Sequence, residues 1–144
     1  MTERLYEKDF YAWAAENARL MREGRLNEID TEHIAEELES MTRSEKRELI
    51  NRLAVLIAHL LKWQFQPDRR SNSWKNSIDL QREDVSALLE DSPSLRYEME
   101  DKLKRAYHKA KLLAAADTSM SRGAFADECP YDLDQIMSDE FWPE

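Results

Sequence analysis

The sequence predicts an all-α protein: a single-domain helical bundle of about five main helices, followed by a short C-terminal helix and an acidic tail. Three observations predict it. Only two glycines and four prolines interrupt the 144 residues, so few points force the backbone out of helix. The good helix formers Leu, Ala, Glu, Lys and Arg are abundant. Apolar residues recur at four- and three-residue spacing, as at Ile34, Leu38 and Met41. The length suits one domain with one substantial core. Residues 1–117 are read as the bundle and 118–144 as an acidic extension packed on the same domain.

Taken in order, Asp9 caps a first helix whose inward face is Phe10, Trp13, Ala14 and Leu20, and Gly24 ends it. Asp30 caps a short second helix with Glu32 and His33 in its first turn and Ile34, Leu38 and Met41 facing inward. Ser44 opens a third helix with Glu48 near its positive end. Between Leu53 and Leu61 that helix is apolar on most of its circumference, which makes it the central one. Pro67 stops it. Ser73 caps a fourth helix, with Trp74, Ser77, Ile78, Gln81, Val85 and Leu88 inward. Ser92 and Pro93 form the N-cap and first-turn proline of a long fifth helix carrying Leu95, Met99, Leu103, Ala106, Ala110 and Leu113 on one face. Beyond about Thr118 a loop precedes a short helix at 133–137, and Phe125, Phe141 and Trp142 pin the tail to the bundle.

Charge and hydropathy narrow the functional classes. The longest apolar run, Leu53 to Leu61, contains His59 and falls well short of the roughly 20 residues that span a bilayer, so no membrane is expected. The N-terminus MTERLYEKDF has no secretory apolar core, and the one cysteine, Cys129, has no intrachain partner. A reducing, cytoplasmic setting is expected. The net charge of −9 resides mostly in the tail: eight acids and one base lie from Asp117 onward, leaving twenty-two acids and twenty bases before it. Glu28 to Glu39 holds six acids and no base, whereas Arg43 to Lys75 holds eight bases and three acids. Adjacent helices of opposite sign would neutralise each other, and an acidic chain disfavours nucleic acid as a partner.

Four strings carry a family resemblance. LNEIDTEHIAEELESMTRSEKREL, LIAHLLKWQFQPDRRSNSWKNSIDLQR, LLEDSPSL and ECPYDLDQIMSDEFWPE occur in order over nearly the whole chain. Together they resemble the bacterial domain of unknown function 29 family. The resemblance implies an all-helical protein, found largely in cyanobacteria and proteobacteria, with no established activity. The family pattern is matched by the paired Glu36 and Glu37, by His59 to Trp63 and by Arg70 to Trp74. His33 departs from it, standing where asparagine is more usual.

On chemistry, two constellations stand out. His33 and Glu37 are four apart on one helical face, and His59 would join them from a facing helix as a third ligand for a divalent transition metal. The bland reading hydrogen-bonds His59 to Glu37 in the core, with Glu36 pointing away. Lys62, Arg69, Arg70 and Lys75 interleave with Trp63, Phe65 and Trp74, a mixture able to hold phosphates and stack bases. The bland reading buries both tryptophans and sends Arg69 or Arg70 to the last carbonyls of the third helix or to a glutamate of the second. Gln81 faces inward and would bridge to Trp74, Ser77 or a backbone carbonyl.

No Gly-rich loop or cysteine pair is present, and no base accompanies Cys129. The reading that follows is a non-catalytic helical interaction or regulatory module without a cofactor. Its polar network or ligand pocket is drawn from Glu36, Glu37, His59, Trp63, Arg70, Trp74 and Gln81, and its partner is another protein or a second copy. Tyr6, Phe10 and Tyr11 are candidate contact aromatics. The alternatives are a metal-dependent helical-bundle enzyme using Glu37 and His59 with His33 auxiliary, and a nucleic-acid-associated regulator using segment 62–75.

Overall fold

A computed structural model describes residues 2–144, with side chains from Leu5 onward. Among these residues the chain forms six α-helices and no strand, in agreement with the all-α expectation. The helices are α1 (Thr2–Lys8), α2 (Phe10–Arg22), α3 (Thr31–Phe65), α4 (Asn72–Asp91), α5 (Met99–Thr118) and α6 (Leu133–Met137). None is long and apolar enough to cross a membrane. The chain divides into two compact units, Met1–Glu45 and Lys46–Glu144.

In the first unit α1 packs on α2 through Tyr6, Phe10 and Trp13. The Asp9 side chain caps α2 by accepting from the amide of Ala12 at 3.0 Å, as its sequence position predicts. Gly24 ends the helix with φ of +75°, a conformation that costs residues with a Cβ. The Arg25 amide returns to the Leu20 carbonyl and the Gly24 amide to that of Met21, satisfying carbonyls the helix leaves open.

The second and third helices expected from sequence are one helix. α3 runs without a break for 35 residues, and Ser44, read as an N-cap, lies inside it. No glycine or proline stands between Thr31 and Phe65, so nothing enforces a stop. The Thr42 hydroxyl donates to the Glu39 carbonyl, and Glu48 pairs with Arg52 instead of greeting a helix start. Residues 38–45 are exposed all round, including Leu38 and Met41, which the sequence pattern placed inward. Pro67 ends α3 as expected, with Gln66 at φ −129°.

The second unit is built on the C-terminal part of α3. Leu49, Leu53, Leu56, Ile57, Leu60 and Leu61 are fully buried and share one core with Ile78 and Val85 of α4 and Ala106, Ala110 and Ala114 of α5. Truncating one such leucine to alanine costs about 2–5 kcal/mol.

Two helix starts differ from the sequence expectation. Ser71, and not Ser73, caps α4, accepting from the Trp74 amide at 3.2 Å, although both serines satisfy the local rule. Ser92 and Pro93 open a 3-10 turn, Pro93–Arg96, and α5 begins only at Met99, after Glu98 adopts φ of +54°. The buried Lys102 holds this break, its ammonium donating to the carbonyls of Leu95 at 2.6 Å and Tyr97 at 2.7 Å.

The C-terminal segment packs inside the second unit. Phe125, Tyr131 and Ile136 join its core, and α6 has the expected bounds because Asp132 and Gln135 form a reciprocal capping box. Phe125 meets Phe65 edge-on, Trp142 meets Trp63, and Phe141 meets Tyr131.

The clamp for this segment is Arg82 of α4, only 2% exposed. Its Nε donates to the Ile136 carbonyl and its Nη2 to that of Phe141, both at 2.8 Å, while the guanidinium lies over the Trp142 ring. Burial pulls its pKa down, against Asp139 and Asp79. Carbonyls at the end of α6 have no intrahelical partner, so this buried cation acts as a C-cap supplied from another helix. Arg82→Met is expected to destabilise the second unit by about 2–4 kcal/mol in urea unfolding. Arg82→Lys should recover only part of the loss, since one ammonium lacks the fork that reaches two carbonyls at once.

Candidate functional site

The first unit holds a compact polar network. Asp30, next before α3, is buried and its carboxylate accepts from Trp13 Nε1 at 2.9 Å and from His33 Nδ1 at 2.7 Å. Its amide donates to Asn17 Oδ1 at 2.8 Å, and Asn17 Nδ2 donates to the Trp13 carbonyl. Tyr6 stacks on the His33 ring at 3.9 Å and donates its hydroxyl to Glu37 at 2.9 Å. Burial pushes the Asp30 carboxyl up, but the hydrogen bonds from His33 and Trp13 outweigh it and hold the group below its ordinary range. The bond to the Glu37 carboxylate raises the Tyr6 phenol.

His33 and Glu37 do share a helical face, as their spacing predicts, and Tyr6 from α1 addresses both. Glu36 is exposed, also as expected. What the sequence did not signal is α1 itself, and with it the role of Tyr6. Asp30 was legible as a cap but not as the buried centre to which Trp13, Asn17 and His33 converge.

In the second unit the His59 ring donates from Nδ1 to the Val55 carbonyl of its own helix at 2.8 Å, where the sequence suggested Glu37 as acceptor. That bond fixes the tautomer and leaves Nε2 as an acceptor. Burial lowers the His59 pKa, assisted by Lys62, so the ring is neutral at neutral pH. His59 does not come from a helix facing that of His33 and Glu37, because all three stand on α3. Among the described residues no three His, Cys, Asp or Glu side chains gather in a metal-holding group.

The basic and aromatic segment 62–75 is largely spent on packing. Lys62 is buried, pairs with Asp117 at 3.2 Å and lies over the Trp74 ring. Arg70 covers Trp63 and donates to the Trp63 carbonyl at 2.8 Å, the role expected of an arginine after this helix, and also reaches the Pro143 carbonyl. Lys75 lies over Trp142. Gln81 is half-buried and has no side-chain hydrogen bond among the described residues, so the expected bridge is not made. The buried arginine is Arg82, one residue further along α4.

A cleft of about 750 Å³ separates α5 from residues 127–133. Met99, Leu103, Tyr107, Cys129 and Leu133 supply its apolar lining. Tyr107 closes one end by donating to the Ala126 carbonyl at 2.5 Å. Burial pushes the Cys129 thiol up, so it is protonated at neutral pH and a poor nucleophile. No sequence motif marks this cleft; it arises from how the tail returns to α5.

The Asp30 network carries a pH signature. A carboxyl whose folded pKa lies below its unfolded value of about 3.9 contributes stability that is present above that value and lost as pH falls through the folded pKa. The Trp13 indole N–H resonance should therefore stay protected from exchange at pH 6 and lose protection in the acid range. Asp30→Asn should weaken protection at pH 6 and flatten its dependence on pH below 5; an unchanged acid profile in that variant would contradict the assignment.

Comparison with known proteins bears on the whole chain rather than on any one of these places. Nothing among curated proteins or solved structures matches it. A family model does, over residues 5–142, and the motifs at Glu36–Glu37, His59–Trp63 and Arg70–Trp74 all fall inside that span. The chain belongs to the family described as Domain of unknown function DUF29.

Proposed function

We propose that the protein is a non-catalytic helical interaction module that docks another protein chain through its N-terminal unit. The observation that supports this most directly is a mismatch between the apolar surface this unit carries and the little it buries. Among the described residues of Met1–Glu45 only Trp13, Asn17, Leu20 and Asp30 are buried. Six large apolar side chains of the same unit stay exposed: Phe10, Tyr11, Met21, Leu26, Leu38 and Met41. The rest of the chain exposes four, Phe65, Leu80, Tyr97 and Leu112, over more than twice the length. A monomer has no reason to keep such a concentration in water, whereas a partner that covers it gains about 25 cal/mol for each Å² of apolar surface removed.

Within that surface the docking element is α3. Leu38 and Met41 are 57% and 63% exposed and continue the stripe begun by the half-buried Ile34 at positions i, i+4 and i+7. That is the spacing with which one helix receives another. The polar network beneath it fixes the start of α3 against α1 and α2, so the stripe is presented on a preformed element. The reading assigns no cofactor, and the lone Cys129 supports a reducing cytoplasm as the place of action.

The test is position-specific. A photo-activated cross-linking residue placed at 38 or 41 of the full chain in its native host should give a discrete protein adduct, with this chain or with another. The same residue at exposed Leu80 of α4 should give none. Absence of an adduct from 38 and 41, or equal labelling at all three positions, would overturn the reading. Leu38→Glu with Met41→Glu should leave helix content unchanged, since both side chains already face water, and should abolish the adduct formed through a neighbouring cross-linker at Thr42.

A further inference from the structure

We propose that the concavity beside the start of α5 is an oxyanion site, made to take a phosphate or phosphate ester. The concavity measures about 320 Å³ and is lined by Lys46, Glu98, Asp101, Lys102, Lys104 and Arg105. Four cations thus meet two acids in a chain whose net charge is −9.

The cations form no direct ion pair where they stand. Among the described residues none of the four enters an ion pair. Lys102 is 6% exposed, and its two acceptors are the neutral carbonyls of Leu95 and Tyr97, which satisfy two of its three N–H groups. Lys46 stands close enough to add to the burial that disfavours the Lys102 ammonium, with Glu98 opposing. Like charges held together in a concavity raise the energy of the empty site and favour a multiply charged anion.

Glu98, the residue before α5, makes no side-chain cap to the first amides of this 20-residue helix, whose first turn also carries Glu100 and Asp101. A tetrahedral oxyanion supplies several acceptors at once, and one phosphate group fits the volume. Glu98 and Asp101 weaken the field for every anion in proportion to its charge, and because the four cations outnumber them a dianion gains more here than chloride or acetate does.

The chemistry is shared by a free phosphate compound and by a phosphoryl group on a protein. Titration of the full chain at low ionic strength with pyrophosphate, and separately with a phosphoserine peptide, tells them apart. The expected result with pyrophosphate is saturable one-to-one binding, amide shifts confined to residues 46 and 98–105, and weakening with added salt. Lys46→Ala with Arg105→Ala, two changes outside the buried core, should weaken binding by about tenfold or more. Arg122→Ala, an exposed cation outside the lining, should leave it unchanged. Tighter binding of the peptide than of pyrophosphate would place the phosphoryl group on a protein partner. No saturable shift with either probe up to millimolar concentration would overturn the proposal, and so would equal binding by the double variant.

Discussion

The structure depends on one uninterrupted helix. α3 spends its 35 residues in two different ways: from Leu53 to Leu61 it is apolar on most of its circumference and mostly buried, and from Leu38 to Glu45 it is exposed on every side. The first stretch is held by packing, which contributes a few kcal/mol for each large side chain. The second has no packing to hold it. It persists because Leu38, Glu39, Met41, Arg43 and Glu45 favour helix and outnumber Ser40, Thr42 and Ser44, because no glycine or proline interrupts it, and because adding a turn to an existing helix avoids the cost of nucleating a new one.

Buried polar groups then do the positioning in each unit. Asp30 draws Trp13, Asn17 and His33 together in the first, while Arg82 and Lys102 in the second supply positive charge to carbonyls that the end of α6, the segment after it and a 3-10 turn leave open. The three share a logic. Each is a charged group whose burial costs free energy unless its hydrogen bonds are made, so each enforces one arrangement of the segments that make them. The residues most readily drawn as catalytic are absorbed in the same way: His59 by its own helix, Glu37 by Tyr6, Arg70 by Trp63 and Lys62 by Asp117.

What could be read from the sequence follows from how local each signal is. The Asp9 cap, the stops at Gly24 and Pro67, and the bounds of α6 are decided within a few residues and appear where the sequence places them. Ser44 and Ser73 carry the same local signal as true caps, yet a helix runs through one and starts before the other. The late start of α5 depends on Lys102, several residues downstream of the break. Arg82 was invisible for a related reason: an arginine on an amphipathic helix reads as outward, and its carbonyl partners lie more than fifty residues away in sequence. The candidate site shows the same division. The shared face of His33 and Glu37 was legible from spacing, but the buried centre at Asp30 and the exposure of Leu38 and Met41 required knowing that Tyr6 arrives from α1 and that α3 continues.

The continuity of α3 across residues 38–48 carries the account, since both the fold and the exposed stripe rest on it. Its most direct measure is the set of 13Cα chemical shifts for these residues in the full chain. Helical shifts from Leu38 through Glu48, with no interruption at Ser44, are the expected result. An N-cap pattern at Ser44 with non-helical shifts just before it would mean two helices in place of one, and would contradict the account.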